Sequence, residues 1–134
     1  MASRLSGIRG CVFDAYGTLF DFGSAVARCG APLGDQESAL TMLWREKQLQ
    51  YSWLRSLQGC HADFWKVTGD ALDYALEALA IECYRTNKLS NTQCGWLLGM
   101  TTVEFEQWRM ERGIPSNVPV EDVIRGYRAL LPKK

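Results

Sequence analysis

For most of its length this chain repeats its apolar residues at helical rather than strand spacing. From Asp35, a residue suited to capping, Leu40, Leu43, Trp44, Tyr51, Leu54 and Leu57 predict one long helix running to about Leu57 and broken by Gly59. A second helical stretch begins near His61, starts or is re-capped at Thr68 or Asp70, and continues to about Thr86 along Ala71, Leu72, Ala75, Leu76 and Leu79. Beyond Lys88 the elements shorten. Ser90 is placed to cap a helix over Asn91–Leu98 that ends at Gly99, and Thr101 or Thr102 to cap another over Val103–Arg112 that stops at Gly113-Ile114-Pro115. A short helix over Ser24–Cys29 and a final one over about Val120–Leu130 complete the helical reading. One segment departs from it. Gly10 to Asp14 is short and contains Val12 and Phe13, which predicts a buried strand ahead of a tight turn at Gly17.

That exception carries the candidate chemistry. The run Cys11-Val12-Phe13-Asp14-Ala15-Tyr16-Gly17-Thr18-Leu19-Phe20-Asp21 delivers a carboxylate onto a glycine-containing turn, with a threonine four residues later. This suits an aspartate nucleophile at the end of a strand. The run resembles the first motif of the haloacid dehalogenase superfamily, and residues about 10–79 resemble the N-terminal part of its 2-haloacid dehalogenases. Leu43-Trp44-Arg45-Glu46-Lys47-Gln48-Leu49-Gln50-Tyr51-Ser52-Trp53-Leu54-Arg55 is similar to that family's first cap helix, and Asp63-Phe64-Trp65-Lys66-Val67-Thr68 to its next cap segment. The resemblance implies that Asp14 is the nucleophile, that Thr18 orients it, and that Arg45, 31 positions after Asp14, stabilises the departing halide. It also implies that Tyr16, Leu49 and Phe64 bind substrate, a short 2-haloacid. Tyrosine at position 16 stands where phosphatase branches carry a second aspartate, which argues against phosphatase chemistry and its magnesium.

The rest of that family's active site is a serine-asparagine pair, a lysine and a water-activating aspartate on further strands of a parallel sheet. Residues 80–134 show no apolar run suited to such strands. Leu89-Ser90-Asn91 superficially matches the serine-asparagine motif, but the preceding Cys83-Tyr84-Arg85-Thr86-Asn87-Lys88 is polar and helical in texture. Residues about 76–130 instead resemble a small prokaryotic helix-turn-helix family described as antitoxin-like. The carrying segments are Ala80–Ser90, Leu97-Leu98-Gly99-Met100-Thr101, Glu104-Phe105-Glu106-Gln107-Trp108 and Glu111-Arg112-Gly113-Ile114-Pro115. For DNA or a partner the resemblance makes Thr102, Gln107 and Arg109 the polar candidates, with Val123, Ile124, Tyr127 and Leu130 as an apolar stripe for a protein.

Charge and cysteines narrow the classes. Fifteen basic residues balance fifteen acidic ones, so no global field points to nucleic acid or membrane. Residues 1–79 carry a net −2 (seven Lys/Arg, nine Asp/Glu) and residues 80–134 a net +2 (eight and six), too small a split to choose a partner. Five widely spaced cysteines and one histidine lack metal-ligand spacing, so no metal and no cofactor is expected; reduced thiols fit a cytoplasmic setting. No run is apolar enough to span a membrane, and self-association stays open.

The expectation is therefore a mostly α protein with one residual N-terminal strand, dehalogenase-cap-like helices and a small C-terminal helix-turn-helix unit, a truncated α/β dehalogenase-like fold. Residues 1–79 form the dehalogenase-like segment and 80–134 the antitoxin-like unit. The leading function is a non-catalytic fusion binding DNA or a protein. The alternatives are a 2-haloacid dehalogenase completed in trans and a gene remnant without activity.

Overall fold

The computed structural model describes residues 6–14, 19, 21–28, 33–119, 121, 122, 124 and 125. Every regular element among them is helical. Helix α1 spans Phe22–Arg28, a single 3-10 turn Gly34–Gln36, α2 Glu37–Gln58, α3 Phe64–Arg85, α4 Asn91–Leu97 and α5 Thr102–Glu111. Glu121, Asp122, Ile124 and Arg125 are also helical, and the rest of the predicted final helix lies outside the described residues.

The strand expected over Gly10–Asp14 is absent, and the truncated α/β fold goes with it. Residues 10–14 are irregular and exposed, with Val12 fully open to solvent and Phe13 63% exposed. The physical reason is that strand propensity acts through neighbours. Without an adjoining strand to take its N–H and C=O groups, or a sheet face to cover Val12 and Phe13, an extended segment gains nothing over solvated backbone.

Helices α2 and α3 form an antiparallel hairpin. The contacts Gln36–Cys83, Lys47–Tyr74 and Arg55–Asp70 run in opposite order along the two helices. Helix α3 buries Val67, Ala71, Ala75, Leu79, Ala80, Cys83 and Tyr84 at helical spacing, and towards its C-terminal end Ala80 and Tyr84 meet α4 and α5. Helix α2 returns less: Leu40 and Gln48 are its buried residues, while Met42, Leu49, Trp53, Leu54 and Leu57 are exposed.

Two helix starts differ from the sequence reading. Asp35 lies inside the 3-10 turn, and α2 begins after Gln36 without a side-chain cap. Helix α3 starts at Phe64, because the Asp63 carboxylate accepts from Lys66 N at 2.8 Å and caps it four or more residues ahead of Thr68 and Asp70. Asp70 is then free to bridge Arg55 and Lys66 at 2.9 and 3.0 Å.

The C-terminal helices are closed more tightly. Ser90 and Gln93 form a reciprocal capping box on α4, and Thr101 and Glu104 another on α5. The turn between them passes through Gly99 at φ +68°, a left-handed conformation that favours glycine. At Gly95, inside α4, a Cβ would lie 2.9 Å from Met100 O and 3.1 Å from Thr101 O. Glycine is what lets the turn fold back onto its own helix. One hydrophobic cluster joins Val26, Leu33 and Leu40 to Ala80, Tyr84, Phe105, Trp108 and Ile114, so helices from both predicted segments share a core.

Candidate functional site

Two sets of residues bear on function, and they are built very differently. At the N-terminal end Asp14 is exposed on the irregular segment and accepts no hydrogen bond from any described residue. Tyr16 and Thr18 lie outside the described residues. Arg45 is half-buried in the middle of α2, Leu49 follows one turn later at 44% exposure, and Phe64 opens α3 at 45% exposure. No ion pair joins Asp14 to Arg45 among the described residues. Asp14 thus stands on an irregular segment and Arg45 on a helix.

Several clefts lie near these helices, two of which touch residues of the predicted segments. An open apolar cleft of about 810 Å³ between α1, α2 and α3 is lined by residues including Leu19, Arg28, Trp44, Trp65, Thr68 and Leu72. The Trp44 indole N–H donates to the Thr68 carbonyl across it at 3.0 Å. Neither Asp14, Arg45 nor Leu49 lines this space. A second cleft, about 420 Å³, surrounds the α2–α3 loop and takes in Arg55, Cys60, His61 and Phe64.

At the C-terminal end, Thr102 and Gln107 are exposed on α5. The Thr102 hydroxyl lies 3.1 Å from that of Thr92, and Gln107 donates to Glu111 at 3.0 Å. Arg109 is placed elsewhere, 7% exposed. Its guanidinium donates to Ile114 O at 2.6 Å, pairs with Glu106, and lies 5.6 Å from the Tyr84 ring centroid. Glu106 in turn accepts from Asn91. The side chain that looked most suited to phosphate contact instead ties α5 to α3, α4 and the following loop.

The sequence reading missed this clamp, though a signal was present: Arg109 stands four residues after Phe105 and one after Trp108, on the core side of α5. It also missed Asn117, whose side chain donates to Tyr84 O at 2.9 Å while its backbone N–H donates to the Tyr84 hydroxyl at 3.2 Å.

Burial pushes the Cys94 thiol up to about 11, helped by nearby Cys83, and burial likewise raises Cys83. Both are protonated at neutral pH and poor nucleophiles. Glu104 is held below the usual carboxylate range by the Thr101 backbone N–H and hydroxyl, a capping effect. Among the described residues no group of three or more His, Cys, Asp or Glu could hold a metal ion, and no helix is long and apolar enough to cross a membrane.

Against this geometry, the N-terminal region is homologous to 2-haloacid dehalogenases of the haloacid dehalogenase superfamily. It is 51% identical over 74 residues to (S)-2-haloacid dehalogenase 1 of Pseudomonas sp. strain CBS-3, covering 55% of this chain and 33% of that protein. It is 52% identical over 75 residues to (S)-2-haloacid dehalogenase 4A of Burkholderia cepacia, covering 56% and 32%. The chain thus spans about a third of the length of the curated relatives it matches. A solved structure described as the crystal structure of a dehalogenase aligns with a TM-score of 0.50 and 43% identity, over 72% of this chain and 40% of that one. Residues 66–130 match the model of the uncharacterised protein family UPF0175. The UPF0175 match begins inside α3, so that helix belongs to both halves of the comparison.

Proposed function

We propose that this chain is a non-catalytic interaction protein, in which a dehalogenase-derived helical segment (1–79) supports a helix-turn-helix, antitoxin-like unit (80–134). The observation that carries this reading is the contrast in how the two sets of residues are held. Asp14 stands exposed, without a described partner to orient it, whereas α4 and α5 are each closed by a capping box and docked on Tyr84. A nucleophile needs a base or a positioning partner to be effective. No described residue hydrogen-bonds to Asp14 or pairs with it. The resemblance of 80–134 to regulatory helix-turn-helix proteins supports a role in recognition, of DNA or of a protein.

A second reading has its own support. Leu49 and Phe64 are both nearly half exposed, and the dehalogenase resemblance makes them pocket residues beside Arg45. In that reading a sheet supplied by another chain covers them and completes a 2-haloacid dehalogenase around Asp14, Thr18, Tyr16 and Arg45.

Halide release from (S)-2-chloropropionate by the purified chain separates the two. The interaction-protein reading expects release no faster than in buffer. Release that disappears in Asp14→Asn would replace it with the enzymatic one.

A further inference from the structure

Helix α5 presents a solvent face whose chemistry is unlike a nucleic-acid reader. Val103, Gln107 and Met110 recur at i, i+4 and i+7 and so share one side of the helix. Val103 is 76% exposed and Met110 62%. Glu104 and Glu111, both exposed, flank this seam, and the partly exposed Glu106 stands on its other side. The basic residues of the region are used elsewhere. Arg109 is turned into the core, and Arg112, at the helix end, lies 4.1 Å from the Trp108 ring centroid and 4.0 Å from Glu77. Glu106 is engaged by Arg109 and Asn91, so the face combines two exposed apolar side chains with the exposed carboxylates of Glu104 and Glu111 and no exposed cation inside the helix.

We propose that this face of α5 is a docking surface for a cationic amphipathic helix of a partner protein. The proposal rests on the interaction-protein reading above and names the chemistry of the partner. Charge complementarity selects the occupant. DNA would set its phosphates against the carboxylates, and affinity for DNA rests on Lys/Arg contacts that this helix lacks. An anionic lipid surface meets the same repulsion, and a second copy would oppose the face with its own acids. A helix with Leu or Ile at i, i+3, i+4 and i+7, bordered by Lys or Arg, covers Val103 and Met110 and pairs the carboxylates at the rim.

The test uses the full ¹⁵N-labelled chain and three probes: a Leu/Lys amphipathic peptide of about four helical turns, a Ser/Lys peptide of equal charge, and duplex DNA. The Leu/Lys peptide is expected to shift amide signals centred on Val103, Gln107 and Met110, and to bind at least about tenfold more tightly than the Ser/Lys peptide. The double variant Val103→Ser/Met110→Ser should lose about tenfold in affinity. Glu111→Lys should weaken binding and flatten its salt dependence, and provides an independent variant if the first misfolds. Equal binding of the two peptides, shifts centred on α2 instead, or DNA perturbing the same signals would overturn the proposal. Failure here alongside an absence of halide release removes this docking face alone. Asp14-dependent halide release removes the interaction-protein reading beneath it, whatever the peptides do.

Discussion

Helices α2 and α5 both carry several large apolar side chains, yet the molecule treats them differently. Along α2, Met42, Leu49, Trp53, Leu54 and Leu57 remain exposed, and the helix contributes Leu40 and Gln48 to the interior. Along α5, ten residues long, Phe105 and Trp108 are buried, and Phe105 stacks on Trp108 at 5.8 Å and meets Tyr84 edge-on at 5.5 Å. The difference teaches that helical periodicity sets which residues share a face but not whether anything covers it. Helix α5 has α3, α4 and the 113–117 loop to pack on; the outer face of α2 has no described element over it. Dehalogenase ancestry explains the pattern of α2 better than the present fold does.

The largest test of this contrast is a pair of truncations. Tyr84 is fully buried at the meeting point of α3, α5 and Asn117, so Tyr84→Ala should cost about 3–5 kcal/mol in urea denaturation. Trp53→Ser, at a side chain 71% exposed, should change stability by no more than about 0.5 kcal/mol. Comparable losses would mean that the outer face of α2 is covered in solution.

A smaller effect sharpens the account of the turn. Gly95→Ala places a methyl against two backbone carbonyls, atoms that cannot rotate aside, and should cost about 1–3 kcal/mol although alanine is the better helix former. A neutral or stabilising outcome would show that α4 and the turn are not in close contact.

The smallest effect concerns the α5 cap. Thr101→Ala should destabilise by about 1 kcal/mol at neutral pH. The Glu104 carboxylate is held below its ordinary pKa in the folded chain, so its contribution is present above the unfolded-state value and is lost as pH falls through the lower, folded one. The Thr101 backbone N–H that holds the carboxylate survives in Thr101→Ala, so the pH arm uses Glu104→Gln: its denaturation midpoint and that of wild type should converge on acidification. A gap that stays constant would assign the loss to something other than the box.

What the sequence made legible follows the range of the interactions. Ser90 caps α4 where the sequence puts it, and Thr101, one of two neighbouring candidates, caps α5, each through a partner within four residues. Gly99 likewise marks its turn. Asp63 was passed over as a cap because Thr68 and Asp70 offered the same chemistry nearby, and local pattern does not rank competing caps. The strand at Gly10–Asp14 failed for a longer-range reason: Val12 and Phe13 have strand propensity, but pairing partners decide whether it is used. Arg109 failed because its charge suggested solvent, whereas Ile114 O, Glu106 and the Tyr84 ring hold the guanidinium inside, with Nε left unpartnered. Of the candidate site, the residue identities were legible from resemblance; whether Asp14 and Arg45 are brought together is a property of tertiary structure that no motif encodes.

The central claim is that the Asp14 segment stands outside the packed fold while α3 to α5 form one cooperative unit. Native-state amide hydrogen exchange tests it most directly. The account predicts that the amides of Cys11 to Asp14 exchange at the rate of an unfolded chain, and that those of Tyr84 and Phe105 exchange through global opening alone. Protection of Cys11 to Asp14 comparable to that of Tyr84 would contradict it, because it would mean that the segment is paired as a strand and that Asp14 is held as a nucleophile must be.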